Sequence, residues 1–226
     1  MRRIRRAADR SEARFSAGAS RLRIAILAAV FPIVCIVAAA GAAQAPSPEE
    51  AARGAAKAQA CGKCHGTPDR APTDDAPTLA GQQSEFLVAQ MFFLREGLRD
   101  VPEMAGILKG LTDQDLTDIA GYFALQAPPR ILSRPDPKLF TLGERISVTM
   151  GCGSCHFSDY RGQRQVPRLT NLHENFLYST MKAYRNNKRV GVDTNMNAIL
   201  ARLPDSDIRA LAHYLAHYLV RQTATQ

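Results

Sequence analysis

The 226-residue chain is 46% hydrophobic and 22% charged, the balance of a folded globular protein rather than a disordered one, with length for one large domain or two small ones. Its formal net charge of +8 would suggest an anionic partner, but the first 45 residues hold +6 of it, as eight arginines against Asp9 and Glu12. What remains gives no reason to expect nucleic acid as a partner.

Residues 1–45 read as an export signal: an arginine-rich start, an apolar run from Ile24 to Ala40, and the small residues of Ala43-Gln44-Ala45 at a cleavage point after Ala45. The alternative is an uncleaved membrane anchor, for which the run is short and interrupted by Pro32. Cys35 lies inside the run and lacks the preceding small residue that a lipidated cysteine requires. Export to the periplasm matters for the chemistry, because thiols in an oxidising compartment pair as disulfides unless something else claims them.

After residue 46 a short helix is expected to lead into CGKCH, which places Cys61, Cys64 and His65 together. A loop then runs to Pro77, and a middle helix carrying Phe86, Leu87 and Met91 is expected to end at Gly97. A second loop carries Met104. Thr112 with Asp115 forms a capping box that opens a closing helix, where Leu116, Ile119, Ala120 and Phe123 recur at helical spacing.

The connector APPRILSRPDP, residues 127–137, has four prolines and cannot continue that helix. Beyond it the unit repeats. Cys152, Cys155 and His156 stand where Cys61, Cys64 and His65 did, and Pro77, Leu79, Phe86, Leu87, Met91 and Arg95 reappear 90 residues on as Pro167, Leu169, Phe176, Leu177, Met181 and Arg185. After two extra residues Met104 meets Met196 and Tyr122 meets Tyr214. Pro204-Asp205 is expected to cap the last helix, with Ile208, Leu211 and Leu215 on its apolar face. The chain is therefore a tandem duplication of an all-α unit, with domains expected at 46–130 and 131–226.

Two cysteines three apart with a histidine beside the second suit three chemistries: a redox disulfide, half of a zinc site, or covalent haem attachment. Zinc would use two CxxC pairs as one closed tetrahedral site, yet here the pairs sit in separate copies, each with its own histidine. A thioredoxin-like redox motif expects βαβ surroundings, which are missing. Haem attachment explains the whole pattern, because two thiols at this spacing meet the two vinyl groups and the adjacent imidazole falls under the iron. Met104 and Met196 are the candidate sixth ligands, at matched places before each closing helix. Met91 and Met181 read as core filling, Met150 as packing beside the haem, and His213 and His217 as ordinary surface or interface histidines. The carbonyls of Pro77 and Pro167 are expected to accept the Nδ1 hydrogens of His65 and His156, leaving Nε2 for iron.

With two CxxCH motifs, PTLAGQ before the FL-containing helix, PEMAGIL and LTDQDLTDIAGYFA, the chain closely resembles the cytochrome c4 family over essentially all of its mature length. The second copy departs where LAGQ becomes LTNL, residues 169–172, and where VGVDTNM precedes Met196. The resemblance implies two class I cytochrome c domains in an exported or membrane-tethered electron carrier, serving donor and acceptor redox proteins such as a terminal oxidase. It implies covalent attachment at Cys61, Cys64, Cys152 and Cys155, and iron ligation by His65 with Met104 and His156 with Met196. Two other classes stay in view: a dedicated subunit of a dehydrogenase or oxidase complex, and a diheme peroxidase, against which both loop methionines argue.

Overall fold

A computed structural model describes residues 47–67, 72–128, 133–189, 191 and 193–224, with side chains as far as residue 218. The segment read as an export signal, with Cys35, lies outside the described residues, as do residues 129–132 of the connector. Among the described residues there is no strand, and no helix is long and apolar enough to cross a membrane.

The first copy folds as α1 (Pro48–Ala58), α2 (Gly62–His65), α3 (Ser84–Arg95), a 3-10 turn at Pro102–Met104, and α4 (Asp113–Ala124). The second gives α5 (Pro137–Thr149), α6 (Cys152–His156), α7 (Glu174–Arg185), α8 (Asn195–Leu200) and α9 (Asp205–Ala224). Local chemistry fixes the starts. Ser47 and Glu50 form a capping box on α1, Thr112 and Asp115 form the expected one on α4, and the Asp136 carboxylate accepts from the amides of Lys138 and Leu139 on α5. Helix α9 begins at Asp205 itself, so that residue is no cap; its carboxylate instead accepts from Tyr178 and Lys182 and pairs with Arg185.

The middle helices stop in the same way. Beyond α3 and α7 the chain needs a left-handed residue so that the last carbonyls find amide donors, and Gly97 (φ 68°) and its counterpart Asn187 (φ 54°) supply it. Asparagine is the non-glycine residue that tolerates this conformation best.

Each copy has its own core. In the first, Ala58, Leu87, Ile119, Ala120 and Phe123 are buried together; in the second, Phe140, Leu177, Met181, Ile208, Leu211, Tyr214 and others are. Both cores form where the first and last helices of a copy cross at a glycine. A methyl group added at Gly54 would fall 1.9 Å from the carbonyl oxygen of Asp118, and one at Gly143 would fall 2.1 Å from that of Ala210. These glycines let α1 lie on α4 and α5 on α9, and each CxxCH helix directly follows the first helix of its crossing. The buried Asp118 carboxylate accepts from Arg53, Lys57 and Gln114 at the first crossing. At the second, Ser147, Tyr160 and Tyr214 share hydrogen bonds instead.

Candidate functional site

Each CxxCH motif lies on its own one-turn helix. All four cysteines are free thiols, Cys61 and Cys152 half-buried and Cys64 and Cys155 exposed. Burial pushes the thiols of Cys61 and Cys152 above their ordinary pKa.

The histidines carry the most informative geometry. His65 Nδ1 lies 2.9 Å from the carbonyl oxygen of Pro77, and His156 Nδ1 lies 2.8 Å from that of Pro167. A carbonyl can only accept, so each ring has its hydrogen on Nδ1 and its lone pair on Nε2. Burial pushes both imidazoles below their usual pKa, the carbonyl bond working against it, and so keeps the rings neutral. A neutral imidazole with a fixed Nε2 lone pair is what a transition metal binds.

Met104 ends the 3-10 turn and is half-buried. Met196 was expected in a loop but lies in the first turn of α8, half-buried against the second core. The reason is local: Asp193 accepts from the backbone and side-chain amides of Asn195, and buried Asn197 donates to the carbonyls of Tyr184 and Arg189, winding the longer second loop into a helix. Met181 is buried in the core and Met91 packs against the first one, as their helical setting implied. Met150 is half-buried where α5 ends.

His213 and His217 are corrected by the structure. Both are buried, and Glu174 on α7 joins them; the three offer atoms within 4.8 Å of one another. Their ring nitrogens are committed to the fold: His213 Nδ1 bonds Glu174 and its Nε2 accepts the Asp136 amide, while His217 Nδ1 donates to the His213 carbonyl and its Nε2 meets Ser133 Oγ. The pair ties the end of the connector to α9. Apart from the His213 carbonyl, their partners lie 39 to 84 positions away, so no local pattern could have revealed them.

The two copies meet through the segments that hold the histidines. Gln82 exchanges hydrogen bonds with the backbone of Arg168, at 3.0 and 2.7 Å, and buried Arg168 donates to the carbonyls of Ala80, Gly81 and Thr170. Burial pushes that guanidinium down to about 10. Gln83 donates to the Arg161 carbonyl, and His173 faces Asp74. Thr78 and Arg168 directly follow Pro77 and Pro167, so each histidine's anchoring carbonyl sits one residue from this contact. Thr78 Oγ1 is buried with no hydrogen-bond partner among the described residues, leaving a donor available to a polar group of a bound cofactor. Four unpaired thiols, two oriented imidazoles and this spare donor fit a pair of covalently held haem groups.

Comparison with known proteins agrees. The Cytochrome c family profile matches residues 140–218. The chain is 35% identical to cytochrome c4 of Pseudomonas aeruginosa over 176 residues, 74% of this chain and 87% of that one. It is 26% identical to a thiosulfate dehydrogenase electron acceptor of Thiomonas intermedia, across 79% of this chain and 84% of that one. Its fold matches the crystal structure of reduced cytochrome c4 from Pseudomonas stutzeri with a TM-score of 0.67 and 31% identity, covering 73% of this chain and 96% of the other.

Proposed function

The chain belongs to the cytochrome c4 family and is an electron carrier with covalently bound haem c, not an enzyme; from this premise we propose that it relays electrons between exported redox proteins in a respiratory chain ending at a membrane terminal oxidase. In this reading residues 46–130 and 131–226 are the two cytochrome c domains. Cys61 and Cys64 hold one haem and Cys152 and Cys155 the other, with His65 and Met104 as iron ligands in the first domain and His156 and Met196 in the second.

The haem would supply a one-electron couple, and ligation by a histidine and a methionine would favour a relatively high potential. The chain's own residues have three tasks. Pro77 and Pro167 orient the imidazoles, the two cores keep water from the haem faces, and the Gln82–Arg168 contact holds the domains together. That contact is the observation that carries the relay reading, since it joins the two histidine-anchoring segments directly.

Charge supports directional docking. Residues 46–130 carry a net −4 and residues 131–226 a net +6, so the two domains favour partners of opposite charge. The segment read as an export signal supports a periplasmic location. The relative named as a thiosulfate dehydrogenase electron acceptor favours a second reading, in which the electron donor is one particular dehydrogenase.

Optical spectra of the exported protein test the ligand assignments. Two haems per chain are expected, with part of the weak methionine-to-ferric-iron band lost in Met104→Ala and part in Met196→Ala. An unchanged band in either variant would remove that methionine from the ligand set. Rates with a purified oxidase and with a thiosulfate dehydrogenase then separate the two partner readings, and rates independent of salt would count against charge-steered docking.

A further inference from the structure

Arg99 and Arg189 are matched positions of the duplication, and the same turn places both. Beyond the middle helix, the Arg99 amide donates to the Phe93 carbonyl and the Arg189 amide to the Ala183 carbonyl, each at 3.1 Å. Their guanidinium groups converge across the copies on one atom. Gln90 Oε1 accepts from Arg99 Nη1 at 2.8 Å and from Arg189 Nη2 at 3.0 Å. Arg189 and Gln90 are each only 8% exposed.

Two cations meeting at one neutral amide oxygen are poorly compensated. Among the described residues neither arginine pairs with a carboxylate. Arg189 has a 3.4 Å contact with Thr180 Oγ1 and lies over the Tyr184 ring, but its Nε is buried with no hydrogen-bond partner. Burial and the neighbouring Arg189 charge push Arg99 down to about 9. A guanidinium keeps its charge in a protein, and leaving one buried without a counter-ion is strongly unfavourable. The cofactor brings the missing charge, because each haem c has two carboxylate side chains.

We propose that Arg99 and Arg189 form one shared cationic seat for carboxylates of both haems, so that each arginine sets the reduction potential of both centres. This rests on the reading that each CxxCH motif holds a haem. The seat gives the relay an electrostatic link as well as a mechanical one. It also explains why the arginine recurs in both copies although Gln90 does not: position 180 is threonine.

The test uses the whole chain with its haems, counted first as the alkaline pyridine complex. Fewer than two haems would overturn the underlying reading and leave no shared seat to assign. With two present, both potentials are measured by spectroelectrochemistry between about pH 5 and 8. Arg99→Gln and Arg189→Gln should each lower both reduction constants about tenfold, equivalent to about 59 mV for a one-electron couple. Carboxylates freed from the guanidinium should also titrate at higher pH, adding a pH slope to both potentials. Arg99→Lys should restore most of the shift, and exposed Arg202→Gln should produce none. Gln90→Glu, which fills the seat with a protein carboxylate, should lower both potentials even if an Arg→Gln variant fails to fold. The proposal is overturned if Gln90→Glu and the arginine variants leave both potentials unchanged, or if each arginine moves only one centre. It is also overturned if inorganic phosphate at constant ionic strength shifts the parent but not the arginine variants, because the seat would then hold a free anion.

Discussion

Replacing Gly143 by alanine tests whether the helix crossing behind the second CxxCH motif depends on the absence of a side chain. The new methyl carbon would lie 2.1 Å from the Ala210 carbonyl oxygen and 2.6 Å from Tyr214 Cβ. Neither neighbour is the loose end of a flexible chain, so α5 and α9 must part by about 1 Å to restore ordinary contact. The buried residues along that seam, Phe140, Ile208, Leu211 and Leu215, then lose part of burial worth about 1.5–3 kcal/mol each. Overpacking of this kind costs about 1–3 kcal/mol or more, while alanine's better helix propensity returns about 1 kcal/mol. The net expectation is a loss of about 2 kcal/mol, or roughly 10 °C in Tm for a unit of this size. Denaturant unfolding of the haem-loaded chain, followed by far-ultraviolet circular dichroism and haem absorbance, measures it. Gly153→Ala is the control, since its added methyl meets nothing closer than 3.5 Å. A Gly143→Ala protein as stable as the parent would refute the reasoning, because propensity would then outweigh the clash.

Other perturbations separate the remaining contacts. Asp118→Ala should destabilise the first domain by about 1–3 kcal/mol, as it strips Arg53, Lys57 and Gln114 of their acceptor; chemical denaturation checks this, and no loss would mean that the partners rehydrate at no cost. The same cluster sets an acid limit. Arg53 above all holds Asp118 well below the usual carboxylate range, and Lys57 holds Asp115 at about 2, so their stabilisation is complete above about pH 4 and falls as pH drops through those lowered values. Asp205, held at about 2 by Lys182 and Arg185, gives the second domain a similar but exposed carboxylate, whereas Asp118 is fully buried, so acid unfolding monitored separately at each haem should begin in the first domain. Arg168→Ala leaves the buried Thr170 carbonyl and the part-buried carbonyls of Ala80 and Gly81 without this donor, at about 1–3 kcal/mol for the buried one, and should loosen the domains from one another; calorimetry should resolve two transitions where the parent shows closer coupling, and a single unchanged transition would argue that Arg168 is not what joins them.

What the sequence revealed depended on repetition. CxxCH, the prolines, the capping box and the methionine positions all appear twice or carry a local signature, and the Nδ1-to-proline bonds lie where their matched spacing implied. The helix-crossing glycines left no local mark, because a glycine inside an amphipathic helix looks like a minor propensity defect until the opposing carbonyl is known. His213 and His217 looked unaccompanied, since the residues that bury them come from α7 and the connector. The Arg168 and Gln82 contact was hidden for a related reason. Its members face each other across the copies, but their own counterparts are Thr78 and Leu172, so aligning one copy on the other separates the partners.

The positions that diverged are also the ones that can make two copies of one unit unequal. Asp118 with its cations becomes Ala210, and Gly121 and Leu125 become His213 and His217, which fasten the connector only in the second copy. Each histidine keeps the same anchor, a proline carbonyl bonded to Nδ1. Both copies have the two thiols, the histidine and its carbonyl partner, while the buried charge elsewhere in each copy has drifted. Near a one-electron centre that drift acts on potential, because a neighbouring charge interacts differently with the oxidised and reduced forms. A relay needs such inequality to give the electron a preferred side, and a shared cationic seat would keep each centre sensitive to the charge of the other.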